Sequence, residues 1–202
     1  MANPTQSPPV ASTVGVKNVV IAPLEEDTET TLAYKPLQQL AGAIDIQIAP
    51  DNADPDVQYY DDIEGDVVYP DPEIKVTMEQ ADIPLAIQEM ILGNRIDANG
   101  VLIRGAGDKP PYCALGFKSE KSNGLYRYVW LFKGRAKPLT ETYHTKEGKT
   151  VTRQTGKIEF TFIKRTHDNQ YQAIADDEQN GFTATKAEAF LASVYEPAPV
   201  TP

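Results

Sequence analysis

Tyr112-Cys113-Ala114-Leu115-Gly116-Phe117-Lys118, Ser119-Glu120-Lys121-Ser122-Asn123-Gly124 and Leu125-Tyr126-Arg127-Tyr128-Val129-Trp130-Leu131-Phe132-Lys133 form one continuous stretch. Its outer segments are rich in aromatic and aliphatic residues. Its middle ends on Asn-Gly, which supplies the positive φ values that tight hairpin turns need. The reading is a β-hairpin with strands over 112–118 and 125–133. In the second strand Tyr126, Tyr128, Trp130 and Phe132 fall on one face, and Leu125, Arg127, Val129 and Leu131 on the other. Large residues on both sides of a pleated strand predict that both sides are covered.

Working outward, the period of two recurs. Over 43–48, Ile44, Ile46 and Ile48 oppose Asp45 and Gln47. Over 73–79, Ile74, Val76 and Met78 oppose Glu73, Lys75, Thr77 and Glu79. Over 157–165, Ile158, Phe160 and Phe162 face inward. A short apolar strand is expected at 16–21. A strand at 171–175 is expected to close a second hairpin through His167-Asp168-Asn169-Gln170. Such alternation marks half-buried antiparallel strands.

Two helices are expected. One runs from Ile83 to about Leu92, with Asp82 as its cap, Pro84 in the first turn and Gly93 as its stop. Its apolar face is Leu85, Ile87, Met90, Ile91 and Leu92. The other runs from Thr185 to about Tyr195, with Thr185 and Glu188 as a capping-box pair and a stripe of Ala187, Phe190, Leu191 and Val194. The fold class is mainly β (α+β): a β-sandwich or partly open barrel of antiparallel strands flanked by two helices.

The chain has 202 residues, a length suited to one domain with arms. Residues 1–14 and 196–202 are Pro-bearing and poor in large apolar side chains, and are expected to be flexible arms around one domain over 15–195. The first 13 residues lack the basic and apolar regions of a signal peptide, so secretory export is not expected. No apolar run is long enough for a transmembrane helix.

Charge is uneven. Residues 1–100 carry 18 acidic and 4 basic side chains, whereas residues 101–175 carry 6 acidic and 14 basic ones. Such asymmetry suits either a solvated surface of mixed sign or two patches that pair between copies. The segment 50–72 is Asp- and Pro-rich and long for a connection, so it reads as a functional loop or an extended hairpin.

The residues offer little chemistry. His144 and His167 sit in polar, turn-like sequence, away from any nucleophile motif. There is no phosphate-binding loop, nucleophile elbow or dinucleotide glycine pattern. Asp62, Glu64 and Asp66 have calcium-like spacing, but Gly65 falls between the acids and no bidentate Glu follows. The lone Cys113 reads as a buried thiol. The expectation is a protein that is not an enzyme and has no cofactor or metal.

The residues from Pro111 to Gly134, including Trp130 and Asn123-Gly124, resemble the central hairpin of the major tail proteins of long-tailed, non-contractile bacteriophages, the phi13-type family. Gly15-Val16-Lys17-Asn18 with Ala22-Pro23-Leu24, Gly42-Ala43-Ile44, Asp82-Ile83-Pro84-Leu85, Phe160-Thr161-Phe162 and Val194-Tyr195-Glu196-Pro197 resemble other parts of that family in the same order. The resemblance covers roughly 15–197. Cys113 stands where an apolar residue is expected, and the 50–72 loop is unusually acidic.

The resemblance implies a structural virion protein. Subunits would form stacked hexameric rings, their strands joining in a β-barrel around a lumen through which DNA passes without sequence-specific binding. Expected partners are the chain itself and the tail initiation (distal tail), tape-measure and tail terminator proteins. The implied location is the phage tail, assembled in the host cytoplasm, with no membrane insertion by this chain. The residues singled out for self-association are Asp54, Asp56, Tyr59, Tyr60, Asp61, Asp62, Val67 and Tyr69 of the acidic loop, with Val16 and Arg127. Two other readings stay open: a monomeric β-sandwich ligand-binding module, and a tube subunit of a bacterial contractile or secretion machine.

Overall fold

The computed structural model describes residues 11–51, 56–60, 63–68, 71–141, 145 and 155–198. Its strands, in chain order, are β1 (Thr13–Asp27), β2 (Leu32–Tyr34), β3 (Gln38–Gln39), β4 (Ala43–Asp51), β5 (Asp56–Tyr60), β6 (Ile63–Val68), β7 (Glu73–Gln80), β8 (Arg95–Ile96), β9 (Leu102–Ile103), β10 (Tyr112–Lys121), β11 (Tyr126–Ala136), β12 (Gly156–Ile163) and β13 (Gln172–Asp176). Helix α1 (Leu85–Leu92) lies between β7 and β8, and α2 (Ala184–Phe190) follows β13.

The hairpin that decided the sequence reading is β10–β11. Gly124 takes φ 81°. Its N–H donates to the Lys121 carbonyl at 2.9 Å, and the Leu125 N–H donates to Asn123 Oδ1 at 3.2 Å. The strand β10 runs three residues past the expected end, because β1 pairs with it as far as Thr13↔Lys121.

The main sheet has the order β2-β1-β10-β11-β12-β7-β4, with β3 added beside β1 and β13 beside β11. Every pairing in it is antiparallel. The sheet curls until β1 approaches β4, but no ladder joins them and the barrel stays open. The strand β1 is much longer than the expected 16–21, and it begins inside the span read as an arm. A register shift between Lys17 and Val20, with Asn18 at φ 50°, carries the strand through its polar middle. Asn tolerates this left-handed geometry better than most residues, and one bulge absorbs it.

Both faces of β11 are covered, as its sequence requires. On one side Val129 and Leu131 join Ile21, Val76, Met78, Leu115, Ile158, Phe160 and Phe162 in the larger core, which Ile91 and Leu92 of α1 help to close. Cys113 is buried in this core, and burial pushes its thiol up to about 12. On the other side Tyr128, Trp130 and Phe132 form a second core under Phe190 of α2, with Ala187, Leu191 and Val194 packed against it. The Trp130 indole N–H donates to the Phe190 carbonyl at 2.6 Å, so the ring is buried with its polar group satisfied.

Several expectations are corrected. The strands at 156–163 and 172–176 do not form a hairpin with each other. Both instead pair with the same edge of β11 in tandem, β13 along Arg127–Leu131 and β12 along Lys133–Ala136. The 11-residue strand is long enough to take both. The turn between them buries Arg165, which is fully enclosed, ion-paired with Asp168 and stacked 3.8 Å from the Phe132 ring centre.

Ile44 does not share a face with Ile46 and Ile48. A bulge between Ala43 and Asp45 leaves it 54% exposed, while Ile46 and Ile48 pack on the core. Helix α1 starts two residues late because Pro84 disfavours helical backbone at Ile83. Asp82 accepts the Ile83 N–H at 2.8 Å, and Leu85 is exposed. Gly93 ends the helix in the left-handed conformation as expected. Helix α2 is capped at Thr183 without a side-chain bond, which places Thr185 inside the first turn, and the Thr185–Glu188 capping box does not form.

Candidate assembly surfaces

Three surfaces follow from this architecture. The first is the ladder across the hairpin tip, where Val16 pairs with Ser119, Ser119 with Arg127, and Arg127 with Asp176. It brings Val16 and Arg127, far apart in sequence, into one cross-strand row. Val16 is half-buried against the larger core, whereas Arg127 is exposed and donates to Asp176 at 3.0 and 3.1 Å. Beside them Lys121 is almost wholly buried, only 4% exposed, and bonds Asp176 at 3.0 and 3.1 Å and also Glu178. The Glu178 carboxylate raises the lysine's pKa against the opposing effect of desolvation. Burial alone would raise Asp176, but the Glu178 N–H, Lys121 and Arg127 together hold it below the ordinary Asp range.

A similar anchor stands at the other end of β1. Asp27 accepts from Lys133 at 2.6 Å and from the N–H groups of Thr166 and His167 at 2.9 Å each. Desolvation pushes its pKa up, and these bonds outweigh it, leaving the carboxyl lowered. Sequence reading missed Lys121, Asp27 and Arg165. The partners of Lys121 and Asp27 lie far away in sequence, and Asp27 falls outside every strand expected from the sequence. Arg165 pairs only three residues on, with Asp168, but its enclosure against the Phe132 ring depends on a strand pairing that the sequence did not reveal.

The second surface is the acidic segment. Strands β5 and β6 pair antiparallel in a separate two-stranded sheet, Asp56↔Val68 through Tyr60↔Ile63. Of the two readings of this segment, the paired strands match the extended hairpin. Of the residues singled out there, Asp56, Tyr59, Tyr60 and Val67 lie on these strands, while Asp54, Asp61, Asp62 and Tyr69 lie outside the described residues. His144 does too. His167 is exposed, with Nδ1 3.2 Å from the Thr28 carbonyl.

The third surface is the face of β4, β7 and β12 opposite the larger core. The register lines up Asp45, Glu79 and Lys157 in one row, Gln47, Thr77 and Glu159 in the next, and Ala49, Lys75 and Thr161 in a third. With Asp51 and Glu73, these three strands place five carboxylates on this face against the amines of Lys75 and Lys157, and Lys137 reaches Glu159 at 3.2 Å. Lys75 bonds Asp51 at 2.5 Å. Helix α1 packs on the opposite side and α2 on the second core, so neither shields this face. Strand β4 is the last of its sheet, and its outer edge has no ladder partner among the described residues. An open edge of nine residues is a template for another strand.

Among the described residues no three His, Cys, Asp or Glu side chains gather as a metal site. No helix among them is long and apolar enough to cross a membrane. No curated protein matches the sequence significantly. A family model described as "Phage tail tube protein" matches residues 12–196, spanning the hairpin, both helices and all three surfaces. The chain belongs to the phage tail tube protein family, a structural component of the virion tail.

Proposed function

We propose that this subunit polymerises as closed rings of six that stack into a hollow tube, and that the tube conducts the phage genome into the host. The observation that carries this reading is the β4 edge, open among the described residues, beside an acidic sheet face that neither helix covers. A closed ring of head-to-tail contacts needs a surface that ends in one copy and continues in the next. An unpaired edge meets that need through backbone hydrogen bonds, and ring closure removes the exposed edges.

The β4–β7–β12 face then looks onto the lumen. Its excess of carboxylates repels phosphate, so DNA slides past without sticking. The β5–β6 hairpin, separate from the main sheet, makes the contact between successive rings. The tail initiation (distal tail), tape-measure and terminator proteins set where the tube begins, how long it grows and where it stops. Assembly takes place in the host cytoplasm.

Negative-stain electron microscopy of the purified chain, dilute and then concentrated, tests this. Hollow tubes or rings of uniform diameter are expected, with tail-initiation proteins added where spontaneous nucleation is slow. A chain that stays monomeric under both conditions refutes the tube and returns the protein to the binding-module reading. A variant lacking residues 54–68 is expected to stay folded and to make rings but no long tubes. Tubes of normal length from that variant refute the stacking role of the hairpin.

A further inference from the structure

Three Asn-Gly pairs occur in the chain, Asn99-Gly100, Asn123-Gly124 and Asn180-Gly181. Such a pair can convert itself. The glycine nitrogen gives up its proton, attacks the asparagine Cγ and expels ammonia, leaving a five-membered succinimide. Glycine permits the attack because no Cβ crowds its nitrogen. The fold treats the three pairs differently. Gly100 and Gly124 each close a turn, and their N–H groups donate to the carbonyls of Asp97 at 3.0 Å and Lys121 at 2.9 Å. The Asn123 carboxamide is also tied down, its Nδ2 donating to Glu178 at 2.8 Å and its Oδ1 accepting the Leu125 N–H. Asn180 and Gly181 instead occupy the two middle positions of a turn, closed by the Phe182 N–H on the Gln179 carbonyl at 3.1 Å. There the Gly181 N–H and the Asn180 side chain have no hydrogen-bond partner among the described residues, and both residues are exposed.

We propose that Asn180 is a site of spontaneous deamidation in the folded protein, and that it outpaces Asn99 and Asn123. An N–H that already donates to a carbonyl must break that bond before it can lose its proton, and the Gly181 N–H carries no such bond. Lys186 adds to this. Its ammonium donates to the Gly181 carbonyl at 2.8 Å, so a positive charge stands near the nitrogen that must become an anion. Water then opens the succinimide at one or other of its carbonyls. The sum is asparagine plus water, giving ammonia and either aspartate or isoaspartate. Both products place a new carboxylate on the wall of the groove beside α2, which Asn180 and Lys186 both line. Isoaspartate also adds a methylene to the main chain inside the Gln179–Phe182 turn. That turn positions Phe182, whose ring centre lies 5.5 Å from Tyr128 and 5.8 Å from Phe190. The modification therefore loosens the hold of α2 on the second core. The inference does not depend on ring formation.

Peptide mapping by mass spectrometry tests it on the full chain, incubated at mildly alkaline pH once folded and once in urea. Circular dichroism checks both states. In urea the three pairs share the glycine neighbour that sets their reactivity and should convert at similar rates. In the folded chain, conversion at Asn180 is expected to exceed that at Asn99 and at Asn123 by about tenfold, the factor expected where a hydrogen bond must first be broken. Electron-transfer fragmentation separates isoaspartate from aspartate at the converted site. Lys186→Gln is expected to slow Asn180 by about threefold and to leave Asn99 and Asn123 unchanged. Similar rates at all three sites in the folded chain, a faster Asn99 or Asn123, or no conversion at Asn180 while the unfolded chain converts would each overturn the proposal. An unchanged rate in Lys186→Gln would overturn the part given to the lysine.

Discussion

Substituting Gly116 with alanine probes how tightly the second core is packed. A Cβ at Gly116 would stand 2.7 Å from two ring carbons of Trp130, its direct cross-strand partner. That is about 1 Å inside normal carbon contact. Trp130 has little room to retreat, since it is fully buried and its indole N–H is held 2.6 Å from the Phe190 carbonyl. Overpacking of this kind costs about 1–3 kcal/mol. Alanine returns about 0.5–1 kcal/mol by restricting the unfolded chain. The net loss is then about 0–2.5 kcal/mol, and at roughly 2–4 °C per kcal/mol for a chain of this size it lowers Tm by up to about 10 °C.

Urea unfolding followed by far-UV circular dichroism reads the change. The decisive comparison repeats Gly116→Ala in a Trp130→Leu background, where the obstructing ring is gone. There alanine should be neutral or stabilising, a coupling of about 1–3 kcal/mol between the two sites. An equal cost in both backgrounds would refute the packing argument and leave only backbone conformation as the reason for glycine.

The ion clusters predict acid sensitivity with a definite sign. Asp27 and Asp176 are lowered in the folded state, so their stabilisation is complete above the ordinary Asp value of 3.8 and is lost as pH falls through their lower folded values. The gap in Tm between wild type and Asp176→Asn should be widest near neutral pH and shrink below about pH 4; a constant gap contradicts the linkage. Arg165→Met keeps the apolar stem but removes the pair with Asp168 and the stacking on Phe132. As Asp168 stays partly exposed, the expected loss is about 2–3 kcal/mol, toward the lower end for a broken buried pair. Unchanged urea midpoints would show that Arg165 anchors nothing.

Legibility in the sequence followed the range of each interaction. The hairpin was readable because alternation and the Asn-Gly turn are local, and the two-sided burial of β11 followed from the same few residues. The partner of β13 was not readable. Adjacent strands joined by a short turn usually pair, and the competing edge of β11 lies some forty residues earlier. The displacement of Ile44 by a bulge left no trace in its alternating pattern. At α1, Pro84 carried the needed information, since its constraint on Ile83 outweighs the capping preference of Asp82. The family resemblance supplied what local physics could not, namely the expectation of a tail component, on which the proposed role of the open edge and polar face rests.

The pairing of β1 with β10 also bears on the order of events during synthesis. Thr13 must wait for Lys121, about a hundred residues later, before its ladder can close. At roughly 5–20 residues per second, the longest strand of the protein stays without its main partner for about 5–20 s on the ribosome. Strands β4 and β7 can pair with each other in that interval, but β12 comes later still. The β10–β11 hairpin pairs with both an earlier strand, β1, and later ones, β12 and β13, so neither group can complete its ladders before it forms. Until it emerges, the β4–β7 pair has no completed sheet to join, since β12, its link to β11, is made later still.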